Sequence, residues 1–152
     1  MNIIAKLFSN HVLNIAALSW LLAQVIKGVI VLITQKKFDF KRFTGSGGMP
    51  SSHSAFVCSM AAAIFKIEHF SSPLFALSCI IAIIVMYDAA GVRRAAGEQA
   101  KILNRVVNDW NKTNSRQLQK ELKEFLGHTR KEVIIGAFLG IAVALIYTSF
   151  IK

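Results

Sequence analysis

Four apolar segments, at roughly residues 11–34, 52–68, 71–90 and 132–151, dominate this chain of 152 residues and leave it few folds to choose from. A helix rises 1.5 Å per residue, so crossing the hydrocarbon core of a bilayer takes about 20 apolar residues. The first, third and fourth segments meet that length. The second is short, with Lys66 ending its apolar part, and is expected to tilt, to end in a snorkelling lysine, or to cross incompletely. With 54% hydrophobic and 17% charged residues the chain is too apolar for an ordinary soluble domain of its size. The expected fold class is all-α: a single integral membrane helical bundle over residues 1–152, with about four transmembrane helices plus amphipathic interfacial helices.

Counting crossings places the 35–51 loop and the long 91–131 segment on one side of the membrane. Both chain ends and the small Glu68 to Ser72 turn, where Ser71-Ser72-Pro73 favours a tight hairpin, fall on the other. Lys36, Lys37, Lys41 and Arg42 lie in the first loop, and ten more lysines and arginines lie between Arg93 and Lys131. Positive loops stay in the cytoplasm, so the shared side is cytoplasmic and the chain is expected in the cell membrane as a multi-pass protein. The formal charge of +10 reads either as topology signalling alone or as contact with anionic head groups or phosphate. Nucleic acid is disfavoured, because the basic residues flank apolar spans and no nucleic-acid motif accompanies them.

The stretch 97–127 has a different pattern. Ile102, Leu103, Val106, Val107 and Trp110 recur at helical spacing, and Leu118, Leu122, Phe125 and Leu126 repeat it beyond an Asn114 N-cap. Two basic amphipathic helices result, expected flat on the head-group layer, packed over a site, or as a solvated hairpin. Cys58 and Cys79 lie in apolar stretches and read as small buried side chains, without a disulfide framework or metal-ligand spacing.

Several residues carry chemistry. Gly45, Gly47 and Gly48 let the backbone approach a ligand, Pro50 suits a helix entry, and Ser51 or Ser52 can cap its first turn, which makes an anion site of the helix start. His53 follows, placed to give a proton to a leaving alkoxide. His128 and Glu132 are four residues apart, on one helix face, where a carboxylate on one imidazole nitrogen fixes the tautomer and leaves the other as nucleophile or base. Topology counting puts both histidines at the same membrane face. Lys27 interrupts an apolar span, at a cost of about 2.5–3.5 kcal/mol unless it snorkels or is paired, and Gln24 shares its face. Asp88 is set to hold an arginine, and Arg93 to clamp phosphate. Each feature has a structural alternative: a glycine turn, a surface His–Glu pair, a snorkelling lysine, a helix-end salt bridge.

The run Gly47-Gly48-Met49-Pro50-Ser51-Ser52-His53-Ser54 is followed by Tyr87-Asp88-Ala89-Ala90-Gly91-Val92-Arg93 and by Ala96-Gly97-Glu98-Gln99-Ala100 with Leu103-Asn104. Leu126-Gly127-His128-Thr129 with Glu132-Val133 and Gly136 completes the set. Together these motifs, between about Gln24 and Gly140, resemble the phosphatidic acid phosphatase type 2 superfamily, which includes lipid phosphatases and vanadium haloperoxidases. The likeness is closer to its divergent branch of small membrane proteins. The resemblance implies a phosphohistidine mechanism without metal or cofactor, vanadate entering only as a phosphate mimic. His128 would be the nucleophile, Glu132 its orienter and His53 the acid. Arg42, Ser51, Ser52, Arg93 and Lys27 would bind the phosphoryl group, with Asp88, Gly47 and Gly48 in support. Against the superfamily pattern, Ser52 replaces a glycine, Glu132 stands for an aspartate, Phe43 follows Arg42, and Arg93 takes the place of an arginine otherwise six residues before the nucleophile. The function implied is hydrolysis of a lipid or polyprenyl phosphate monoester or diphosphate. The alternative is non-catalytic binding or translocation of an anionic lipid phosphate. Expected partners are membrane lipids and the lipid phosphate itself, and four short spans leave room for a homodimer that completes the bundle.

Overall fold

The computed structural model describes residues 8–35, 48–113 and 127–151. They form five helices: α1 His11–Gln35, α2 Ser52–Glu68, α3 Pro73–Ala90, α4 Val92–Thr113 and α5 Arg130–Ser149. Local chemistry explains most of the starts. The Asn10 side chain accepts a bond from the Leu13 amide at 3.1 Å, Ser51 caps α2, and Ser72 caps α3 with Pro73 in its first turn. The third apolar segment therefore begins at Pro73 rather than at residue 71, because Ser71 and Ser72 are spent on the turn and the cap. At the head of α5, Thr129 and Glu132 form a reciprocal capping box.

The bundle is built around α2, which packs against α5, α1 and α3, whereas α1 and α3 do not touch one another. This placement accounts for the short, weakly apolar second segment. Three of the described helices are long and apolar enough to cross a membrane, and α2 is not among them. Its 17 residues span about 25 Å. Its buried positions are Ser52, Ser54, Ala55, Val57, Cys58, Ser59, Ala61 and Ala63, small side chains that let neighbouring backbones come close. A helix covered by other helices needs small residues rather than oily ones, so its hydropathy understates how deeply it is placed. The fold is the expected helical membrane bundle, with the three helices of spanning length set around a short second helix whose buried side is made of small residues.

The tightest seam is α2 against α5. A Cβ added at Gly136 would overlap the Ser51 carbonyl, and one added at Gly140 would overlap the Ala55 carbonyl. The two glycines and their two partners are both four residues apart, so each pair lies one turn above the other. Toward the far end, Ile15, Ala63 and Ala144 form a small buried cluster; Val57, Cys58 and Ala82 form another. Cys79 is only partly buried. Large apolar side chains point outward, as at Ile83, Ile84, Phe138 and Ile146, which is the arrangement of a bundle solvated by lipid.

α4 begins at Val92, five residues before the expected start at residue 97. The Gly91 amide still bonds to the Tyr87 carbonyl at 2.9 Å, and Ala95 bonds to the Gly91 carbonyl at 2.9 Å. One glycine among arginines and alanines, all good helix formers, distorts the run without ending it. The second amphipathic stretch, from Asn114 to Leu126, lies outside the described residues.

Candidate functional site

The site forms where the start of α2, the end of α3 and the start of α5 meet. Three backbone contacts hold them together. The Ser51 amide donates to the Glu132 carbonyl at 3.0 Å, and the His128 amide donates to the Ala89 carbonyl at 3.1 Å. Gly127 lies so close to the backbone of Arg94 that any side chain there would collide with it.

Glu132 does two jobs through one oxygen. Its Oε2 accepts from the Thr129 amide at 3.0 Å and lies 3.1 Å from His128 Nδ1. A carboxylate can only accept there, so the imidazole proton belongs on Nδ1 and the Nε2 lone pair is left available. That Nε2 is buried and has no hydrogen-bond partner among the described residues. The His53 ring stands 6.3 Å from the His128 ring, centroid to centroid, at 66°. His53 is exposed although Ser52 and Ser54 on either side of it are buried, so it faces away from the packed side of α2.

Burial holds the His128 imidazole below its ordinary range. The hydrogen-bonded Glu132 carboxylate pulls the other way, and the positive charges of Lys27 and Arg93 add to the lowering. The His128 ring is therefore neutral near pH 7.

The other expected residues are distributed unevenly. Lys27 is 2% exposed and within electrostatic reach of Glu132. Its aliphatic stem runs beside Gly48, which has φ +86° and room for a Cβ only at 3.4 Å from Cγ and Cδ of Lys27. Gly48→Ala is accordingly expected to cost on the order of 1–2 kcal/mol through the left-handed backbone alone, read as a lowered unfolding midpoint with the helical content unchanged. Asp88 bonds Arg93 Nε at 2.7 Å, a half-exposed ion pair that uses one of the five guanidinium donors. Ser51 and Ser52 are both buried. The Ser51 hydroxyl serves as the α2 cap and accepts from Ser54 Oγ at 3.0 Å. Gln24 is buried beside Lys27 with its Oε1 unpartnered. Arg42 and Gly47 lie outside the described residues.

A family model described as the divergent PAP2 family matches residues 8–143. The chain belongs to that family. It is 41% identical over 155 residues to a Bacillus subtilis (strain 168) protein named uncharacterized membrane protein YuiD, covering 95% of this chain and 98% of that one. No solved structure matches the chain. With a membrane-protein relative along nearly its whole length and three apolar helices of spanning length, this PAP2-related chain is a membrane-integral protein.

Two elements of the site were not anticipated from the sequence. One is the capping box, although Thr129-Arg130-Lys131-Glu132 carries its signature. The other is the Ser51 to Glu132 backbone bond. Its signal was the matched spacing of Gly136 and Gly140 with Ser51 and Ala55, since only close helices with small residues bring those backbones together.

Proposed function

We propose that this protein is a membrane phosphatase that hydrolyses a lipid or polyprenyl phosphate, at the cytoplasmic side, through a phosphohistidine intermediate. One observation carries the reading: two imidazoles 6.3 Å apart, one of them bonded through Nδ1 to a carboxylate so that its buried Nε2 is the basic atom. In the first step the His128 Nε2 lone pair attacks phosphorus, the bond to the lipid oxygen breaks, and His53 gives that oxygen a proton. In the second step His53 takes a proton from water, the water oxygen attacks phosphorus, and inorganic phosphate leaves as the N–P bond breaks. Phosphoryl transfer depends mainly on positioning and charge neutralisation. Arg93, Lys27, Ser52 and Arg42 are the groups assigned to that work, with Ser51 capping the helix that presents His53. Asp88 would fix the Arg93 guanidinium through Nε and leave its outer edge for phosphate.

The test is phosphate release by purified protein in mixed micelles against a panel of lipid mono- and diphosphates, with His128 variants as controls. Saturable binding or movement of the lipid across the bilayer with no turnover would replace this reading by the carrier alternative.

The pH profile gives a second check. The His128 imidazole lies below its ordinary value of 6.5, so activity is expected to hold as pH falls through that value and to decline only below it. Glu132 is the group that raises it, so Glu132→Gln should move the acid limb further down while lowering kcat by roughly 10²–10⁴-fold, the range for losing one acid–base element. A limb that stays in place or moves up in Glu132→Gln would show that this carboxylate does not act on the reacting imidazole.

A further inference from the structure

α4 exposes an apolar stripe. Val92, Ile102, Leu103, Val106 and Trp110 are 58%, 60%, 50%, 58% and 56% exposed, and at 100° per residue all five fall within one face about 100° wide. Gly97, Ala100 and Asn104 form a different, buried face. Between the two run Arg94, Lys101 and Arg105, with Glu98 paired to Lys101 at 3.6 Å. An apolar face flanked by basic residues is the pattern of a helix lying in a membrane interface.

Chain geometry narrows the choice. Pro73 to Trp110 is a run of 38 residues, about 57 Å at 1.5 Å per residue against a hydrocarbon core of about 30 Å. α3 alone uses nearly all of that thickness. α4 therefore starts at the edge of the bilayer, one distorted residue, Gly91, after the membrane span. A stripe of large apolar side chains in water at that place is costly, and lipid lies beside it.

We infer that α4 docks on the anionic head-group layer of the same membrane, its Val92 to Trp110 stripe inserted at the level of the upper acyl chains and Arg94, Lys101 and Arg105 on lipid phosphates. The inference does not depend on catalysis, yet it bears on the site. Arg93 lies in the first turn of α4, and Gly127, next to His128, packs on the Arg94 backbone. The depth of α4 then sets the height of the two histidines relative to the lipid phosphates.

The experiment uses fluorescence of Trp110 in the full chain carrying Trp20→Phe, since Trp20 and Trp110 are the two tryptophans. The protein is placed in vesicles of phosphatidylcholine, or of phosphatidylcholine with phosphatidylglycerol, brominated near the head group or near the chain end. Head-group-proximal bromines should quench Trp110 at least about twofold more than distal ones, and iodide in the water should have little effect. Phosphatidylglycerol should strengthen the shallow quenching, and the triple variant Arg94→Gln, Lys101→Gln, Arg105→Gln should lose that lipid dependence while keeping its helical circular dichroism. Strong iodide quenching would overturn the inference, as would equal or greater quenching from the deep bromines. Protection from both quenchers, together with a dimer that dissociates on Ile102→Ser and Val106→Ser, would make the stripe a protein interface and also overturn it. Should Trp20→Phe fail to fold, Val106→Cys in a chain that keeps Trp20 and carries Cys58→Ala and Cys79→Ala, the two free cysteines, reads the same depth through an attached environment-sensitive dye.

Discussion

His128→Asn is expected to abolish phosphate release, by at least about 10³-fold and down to the background of the assay, while the protein inserts and folds as before. The loss follows from chemistry: an amide has no lone pair that can form a stable bond to phosphorus, so no covalent intermediate can form, and removing the nucleophile of residues that act as a unit removes most of their joint effect. Retention of the fold follows from geometry. The asparagine amide group can donate to Glu132 Oε2, which also keeps its bond from the Thr129 amide, so the capping box at the head of α5 survives. His128→Ala should be equally inactive but less stable, because it leaves a cavity where a fully buried ring was. His53→Asn is expected to slow lipid phosphate hydrolysis by roughly 10²–10⁴-fold. It should spare the first step on an aryl phosphate, whose leaving group departs without a proton, so that the aryl alcohol is released in a burst of about one per protein while steady turnover stays slow for want of the base that activates water. Full activity in the His128→Asn protein would remove the phosphohistidine mechanism. A burst slowed equally on both substrates in His53→Asn would remove the acid role and leave that histidine as a binding group.

Much of this site is local and for that reason could be read from the chain. His128 and Glu132 are one helical turn apart, and any helix starting near residue 130 brings them together. Asp88 and Arg93 flank the end of one apolar run and meet across it. The long α3 and α5 segments were legible because lipid imposes a length and a polarity that periodicity alone need not resolve. The meeting of His53 with His128, 75 positions apart, is different in kind. Counting crossings puts both at one membrane face, but a face is tens of ångströms across, and 6.3 Å depends on how closely α2 and α5 pack. That closeness is encoded by glycines and serines, residues whose contribution is the space they leave, and such residues have no hydropathy signal. The same logic hides α2, whose alanines and serines suit a helix surrounded by helices. Ser51 shows a further ambiguity, since a hydroxyl before a helix can cap it or bind an anion: its oxygen accepts from the Ser54 amide as the cap and from Ser54 Oγ at 3.0 Å, while its own O–H has no part in either bond.

Gly136→Val and Gly140→Val should therefore be the most damaging substitutions away from the histidines. Each adds a Cβ where a backbone carbonyl already lies, Ser51 in one case and Ala55 in the other. Backbone cannot rotate aside as a long side chain does. Overpacking of this kind costs about 1–3 kcal/mol per site. Alanine would recover about 1 kcal/mol of that through its helix propensity over glycine, which could mask the effect, whereas β-branched valine recovers less and adds two methyl groups to the collision. The two variants should differ in their effect on the site. Gly136 faces Ser51, whose amide bonds the Glu132 carbonyl, so pushing α2 away there pulls His53 from His128 and Glu132. Gly140 lies one turn deeper, against Ala55, and the strain reaches the site only through the tilt of α5. Both proteins are expected to unfold at a lower mole fraction of dodecyl sulfate, followed by loss of helical circular dichroism. Phosphate release should fall much further in Gly136→Val than in Gly140→Val at a temperature where both remain folded. Because the two positions share one seam, the double variant should lose less than the combined single losses. Wild-type unfolding in both single variants would mean that α2 and α5 are not in glycine-mediated contact, and the distance between the two histidines would lose its structural basis.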